Sequence, residues 1–221
     1  MRSGKKLRDV GLLLGALSLF VLPMAAGRAQ TAVTAADIVE RLGVETSADI
    51  DVAALRQEAA DRVKAKADPQ PQKRPPIAPQ LSKLPLMRFD VVFDPDSSLI
   101  RPASYQLIGS LADALTDPKL RPYRFLIVDH TESAGRRDFN LTLSQRRADS
   151  IRDVLVNAFK VSPKRLQSLG LGEEQLQDAN RPAAPANARV QIITVGQVES
   201  VEAVKPAAPA QKGGAAKKKK R

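Results

Sequence analysis

The stretch that decides how this chain folds is "VDHTESAGRRDFNLTLSQRRADSIRDVL", Val128 to Leu155. Its first residue ends an apolar run, "RFLIV" (Arg124 to Val128), that has the composition of a buried strand. Its second half repeats apolar residues at helical spacing, with Ala148, Ile151, Leu155 and Phe159 on one face of a helix read over Leu143 to Lys160. Between the two lies a loop that carries Glu132, Gly135 and Asn140, and Arg147 follows one helical turn after Leu143. A strand passing into a helix through a charged loop is half of a βαβ unit, and ligands commonly bind at the carboxyl end of such a strand.

The alternation continues outward on both sides. "MRFDVVF" (87–93) is rich in strand formers, and Pro102 then opens a helix with Ile108, Leu111, Ala112 and Leu115 on one face, stopping at Asp117 and Pro118. Beyond the second helix, "LQSLG" (166–170) and "VQIITV" (190–195) supply two more strands. Strands separated by helices require crossovers and therefore some parallel pairing. The expected fold is α+β: a two-layer sandwich of a mixed β-sheet with helices on one face, in the order βαβαββ.

The rest of the chain divides by composition. Residues 1–29 read as a secretory signal: basic Arg2, Lys5, Lys6 and Arg8, the apolar run "VGLLLGALSLFVL" broken at Pro23, then small residues, with cleavage expected after Ala29. That run is shorter than the ~20 residues a spanning helix needs. Residues 30–66 hold two short helical patterns. In the first, Thr34 and Asp37 resemble an N-terminal cap, Ile38, Val39 and Leu42 share a face, and Gly43 is the stop; the second runs from about Val52 to Lys66. These helices either pack on the main domain or a partner, or stay loosely formed. Residues 67–86 read as a Pro-rich spacer, with Pro69, Pro71, Pro75, Pro76, Pro79 and Pro85 removing backbone donors. The domain proper is expected over 87–197, and residues 198–221, which lack apolar periodicity, as a disordered basic tail.

The formal charge of +11 suggests nucleic acid until it is divided along the chain. Residues 1–29 carry +4 of it and the residues from Val198 onward +5, which leaves +2 for everything between. The expected domain is close to balanced, so no nucleic-acid partner is expected. The Lys-rich tail suits anionic lipid head groups or acidic envelope polymers, or else serves as a solvated end. The absence of Cys excludes disulfides, thiolate metal sites, cysteine nucleophiles and a lipid anchor on cysteine.

Catalysis finds little support in the central stretch. His130 is the one histidine, beside Asp129 and near Glu132; Ser133 and Ser144 are within reach in sequence, but no nucleophile-elbow pattern accompanies them. One His and a carboxylate do not make a metal ligand set, and nothing calls for a cofactor. His130 therefore reads as a hydrogen-bonded structural residue. What remains is recognition. Glu132 offers an anion, Gly135 a bend, Asn140 a two-sided hydrogen bonder, and Arg147 a guanidinium fork. A zwitterion with ammonium and carboxylate on one carbon would use both signs; alternatively, Glu132 and Arg147 pair with each other across the loop.

At these residues the chain resembles the OmpA-like peptidoglycan-binding domain of OmpA-type porins, Pal lipoproteins and MotB-type stator proteins. That pattern runs roughly G-H-T-D-x-x-G, N-x-x-L-S-x-x-R-A and N-R-R-V. Here it reads "DHTESAG" (Asp129 to Gly135), "NLTLSQRRA" (Asn140 to Ala148) and "NARV" (Asn187 to Val190), with "FDPDSSLIRP" similar to the first strand exit. The resemblance implies a non-enzymatic periplasmic module that binds the diaminopimelate-containing stem peptide of Gram-negative peptidoglycan and anchors an envelope component to the wall. It places the ammonium contact on Glu132, the carboxylate contact on Arg147, the loop-holding and ligand-contacting role on Asn140, and a further arginine of the crevice on Arg189. Four positions depart from the pattern: Glu132 stands for Asp, Asp129 for Gly, Asp96 for Asn, and Ala188 for the first closing Arg. The alternative function is a structural or partner-binding domain of this fold that has lost the stem-peptide site.

Overall fold

Strand β2 (Tyr123–His130) is buried along its last six residues, so both of its faces must be covered. In this computed structural model, which describes residues 33–65 and 70–198, it lies within a four-stranded sheet of order β1-β4-β2-β3. The other strands are β1 (Leu86–Phe89), β3 (Leu166–Gly172) and β4 (Arg189–Gln197). The crossover between β2 and β3 makes that pair parallel, with Ile127 opposite Ser168, while β4 runs antiparallel to both β2 and β1, with Ile192 opposite Ile127 and Met87. The pairing is mixed and the core element order is βαβαββ, as the alternation of patterns requires.

Period-two alternation sorts the strand side chains onto two faces. Phe125, Ile127, Val190, Ile192 and Leu166 point into one core with α1 (Ala35–Leu42), α3 (Tyr105–Thr116) and α4 (Arg137–Asn157). Helix α1 starts as its capping residues predict: the Thr34 hydroxyl accepts from the Asp37 amide at 3.2 Å, and the Asp37 carboxylate accepts from the Thr34 amide at 3.0 Å. Its Ile38 and Leu42 are wholly buried, each contributing about 1.5–3 kcal/mol of apolar transfer. The first of the two upstream helices thus packs on the domain.

Leu126, Val128, Leu169, Leu171, Ile193 and Val195 point to the opposite face. That face is covered as well, by α2 (Val52–Lys64) through Val52, Leu55 and Ala59, and by the Pro-rich segment through Ile77, Ala78 and Leu81. Here the structure corrects the reading of residues 67–86 as a spacer. Its prolines shape 3-10 turns at Pro71–Lys73 and Pro79–Lys83, and the apolar residues among them close the second core. The near-continuous apolar run of β2 has this physical reason: a strand covered on both faces has no solvent side to make polar.

Helix α4 begins at Arg137, six residues before the expected Leu143, so Asn140 stands in its first turn instead of on the loop. It ends at Asn157; Phe159, expected on its apolar face, is 38% exposed beyond the cap. The secretory signal over 1–29, the first residues of the 30–66 segment, residues 66–69 and the tail from 199 onward lie outside the described residues.

Candidate ligand-binding site

The site is assembled where β2 ends and α4 begins. Two glycines bring α4 onto β3. A Cβ on Gly170 would lie 2.1 Å from the Gln145 amide nitrogen, and one on Gly172, at φ +48°, would lie 2.8 Å from the Leu141 nitrogen. The Gly172 amide donates to the Ser144 hydroxyl at 2.8 Å, which fixes the helix start against the strand end. The connecting loop turns at Gly135, φ +78°, a conformation that explains the glycine.

Two adjacent buried carboxylates organise this corner. Glu173 accepts from the Ser133 hydroxyl at 2.9 Å, from Asn140 Nδ2 at 2.8 Å and from Arg74 Nη1 at 2.9 Å. Glu174 accepts both arms of Arg137, at 2.5 and 2.6 Å. Asn140 Nδ2 also donates to the Ala134 carbonyl at 2.9 Å and, at 3.4 Å, to that of Glu132. Reading the sequence missed Glu173, Glu174 and Arg74. The adjacent glutamates after "GLG" were the available signal, but nothing local marks either as buried.

Each expected residue has a definite place. Glu132 is half-buried on the loop, and its carboxylate makes no hydrogen bond or ion pair among the described residues. Arg147 is half-buried on α4; its Nε donates to the Ser97 carbonyl at 2.9 Å and its guanidinium lies 4.9 Å from the Phe93 ring centroid. No described residue hydrogen-bonds its Nη atoms, and Glu132 and Arg147 do not form an ion pair with each other. Asn140 is buried and holds the loop. Arg189 donates to the carbonyls of Asn187 and Gln175, both at 2.9 Å, while its buried Nε has no hydrogen-bond partner among the described residues.

Asp129, the carboxylate in the usual glycine position, is buried at the base of this group, and its Oδ2 has no hydrogen-bond partner among the described residues. Burial holds its carboxyl well above the usual carboxylate range, against the opposing attraction of Arg147 and Arg189. Burial and the neighbouring Arg88 lower Arg189 to about 10, against the pull of Asp129. His130 is structural as read: its Nε2 meets Gln191 Oε1 at 2.9 Å, and burial keeps it well below the ordinary histidine range.

An open crevice of about 670 Å³ adjoins these residues, walled by Asp96, Ser97, Gly135, Phe139, Asn140 and Arg146 among others. Of the four expected residues only Asn140 lines it directly. Glu132 sits two residues from the lining Ala134, and Arg147 reaches the opposite wall through Ser97. Arg146, adjacent to Arg147, and Arg136 on the loop are the lining arginines that sequence reading passed over. Asp96 turns into the crevice wall at φ +50°, a conformation that the usual Asn adopts more readily than most residues. Among the described residues no group of three or more His, Asp and Glu side chains is placed to hold a metal.

The corner thus combines a mixed sheet, an open crevice at the end of β2 and two charged side chains, Glu132 and Arg147, beside it. Residues 92–191 match the OmpA family, and this part of the chain is an OmpA-family domain. Outer membrane porin F of Pseudomonas aeruginosa is 35% identical over 116 residues, covering 51% of this chain and 32% of the porin. The peptidoglycan-associated lipoprotein of Brucella melitensis is 35% identical over 98 residues, covering 44% of this chain and 53% of the lipoprotein. The match thus spans about a third of the first relative and about half of the second. The crystal structure of the peptidoglycan-associated lipoprotein from Burkholderia pseudomallei aligns with a TM-score of 0.39 and 26% identity, covering 47% of this chain and 87% of that one.

Proposed function

We propose that this domain binds the diaminopimelate-containing stem peptide of peptidoglycan non-covalently and, from the periplasm, anchors an envelope component to the cell wall. The observation that carries the reading is a pair of opposite charges beside the crevice: the Glu132 carboxylate, which has no ion-pair partner among the described residues, and the Nη atoms of Arg147, which none of them hydrogen-bonds. The free end of diaminopimelate bears an ammonium and a carboxylate on one carbon. Glu132 takes the ammonium and Arg147 the carboxylate through charge-assisted hydrogen bonds. Asn140 keeps the loop in place for this contact, and Arg189 adds positive potential from below. Membership of the OmpA family supports the reading, as does similarity to a protein named for its association with peptidoglycan.

One observation favours the second reading, a domain that keeps the fold without the ligand. Asp129 brings a buried carboxyl of the protein's own within electrostatic reach of Arg147 and Arg189, and in its ionised form it competes with a ligand carboxylate. Co-sedimentation with purified sacculi separates the two. Wild type pelleting with sacculi while Arg147→Ala stays in the supernatant supports peptidoglycan binding; both remaining in the supernatant supports the second reading.

A further inference from the structure

The segment upstream of the OmpA-family domain makes a contact that neither its composition nor the family match accounts for. Arg74 lies 18 residues before the matched region begins at Val92, yet its guanidinium reaches the heart of the ligand corner. Nη1 is 2.9 Å from Glu173 Oε1 and 3.9 Å from Glu174 Oε1, with the three side chains 6%, 5% and 1% exposed. The segment is tied down again four residues on, where the Ala78 amide donates to Gln175 Oε1 at 2.9 Å, and its Ile77, Ala78 and Leu81 are packed on the sheet.

We propose that Arg74 is a positioning residue for the ligand loop, so that the upstream segment acts as a strap that pins that loop through Glu173. The proposal rests on the stem-peptide reading only for its consequence in binding. Glu173 links the strap to the loop, because its other bonds all go to the loop side: Ser133, next to Glu132, and Asn140, whose amide holds the carbonyls of Glu132 and Ala134. A buried carboxylate needs a countercharge to remain an anion and a strong acceptor. Arg74 supplies it. With Arg74 removed, Glu173 keeps only neutral donors; it then takes up water or a proton and releases Ser133 and Asn140. The loop that presents Glu132 therefore depends on a residue of the upstream segment, and undocking the strap weakens the ligand site without altering Glu132 or Arg147.

The test uses the full chain with Arg74→Ala and Arg74→Lys, and reads two quantities. The first is hydrogen exchange, without ligand, at the Thr131, Ser133 and Asn140 amides, which are bonded to the Gly172, Pro182 and Arg136 carbonyls. Arg74→Ala should speed exchange there by about tenfold while amides in the middle of β2 and β4 keep wild-type protection. The second is the Kd for a soluble diaminopimelate tripeptide, expected to weaken about three- to thirtyfold in Arg74→Ala and to recover in part in Arg74→Lys. Should Arg74→Ala fail to fold, Ser133→Ala cuts the same connection at its loop end and should give the same exchange pattern. Unchanged loop exchange overturns the proposal, as does a loosened loop with wild-type peptide affinity. Absence of binding by wild type overturns the stem-peptide reading instead, and the exchange measurement then decides the role of Arg74 alone.

Discussion

Replacing Asn140 by Ala should destabilise the domain by about 2–4 kcal/mol. Its contacts set that cost. Nδ2 makes one bond of ordinary length to a neutral acceptor, the Ala134 carbonyl, worth about 0.5–1.5 kcal/mol, and one to the Glu173 carboxylate, worth about 1.5–3 kcal/mol. The 3.4 Å contact to the Glu132 carbonyl is too long to add much. Asn140 is buried, so water does not readily replace what is lost. Asn140→Asp sharpens the test, because it sets a second carboxylate against Glu173, whose oxygen lies 2.8 Å from Nδ2. Two such groups cannot both ionise cheaply, so at least one acquires a raised pKa. Its destabilisation should be large at pH 7 and shrink as pH falls through that raised value, since the protonated form is the one the folded state tolerates. Urea unfolding at pH 5 and pH 7 measures both effects through the midpoint and the slope. A cost for Asn140→Ala below about 1 kcal/mol, or an Asn140→Asp variant insensitive to pH, would refute the assignment of Asn140 as the anchor of the loop.

Asp129→Asn is expected to stabilise the protein at pH 7. Because burial raises the folded-state pKa of Asp129, its contribution to stability is intact below the unfolded value of about 3.9 and is lost as pH rises towards the folded value, by about 1.4 kcal/mol for each pH unit between the two. The Asn variant escapes that loss, so thermal unfolding should show a gain at pH 7 that vanishes near pH 3.5; an equal gain at both would be inconsistent with the titration. Gly170→Ala should lower stability by about 3 kcal/mol or more, as its Cβ would meet the backbone of Gln145 at 2.1 and 2.4 Å, where no side-chain rotation gives relief. A melting temperature close to wild type would show that α4 moves off β3 at little cost.

What could be read from the sequence were the features whose causes are local. The apolar run 124–128 announced a buried strand, Thr34 and Asp37 announced a helix start, and Gly135 a turn that needs positive φ, and each is present. The start of α4 was hidden because "GRRDFN" has neither apolar periodicity nor a side-chain cap; what holds it is the bidentate pair between Arg137 and Glu174, 37 residues away. The Pro-rich segment misled for a related reason. Prolines mark the backbone as irregular but do not say whether Ile77 and Leu81 among them find a surface to cover. A hint lay in β2 itself, whose absence of polar alternation already required cover on the second face. At the candidate site, the motif pattern singled out Glu132 and Arg147, whereas Glu173 and Glu174, which brace the loop and the helix start, are buried by tertiary packing that nothing local announces.

The central claim is that Glu132 and Arg147 hold opposite ends of one zwitterion, and calorimetric titration of a diaminopimelate-containing peptide into wild type, Glu132→Ala, Arg147→Ala and Glu132→Asp tests it most directly. Each charge-assisted bond lost removes about 1.5–3 kcal/mol, so each alanine variant should bind about tenfold or more weakly while unfolding near the wild-type temperature. Glu132→Asp, which shortens the carboxylate to the length usual in the family pattern, should bind as well as wild type or better. Wild type that binds no peptide at millimolar concentration, or alanine variants that bind it as tightly as wild type does, would contradict the account.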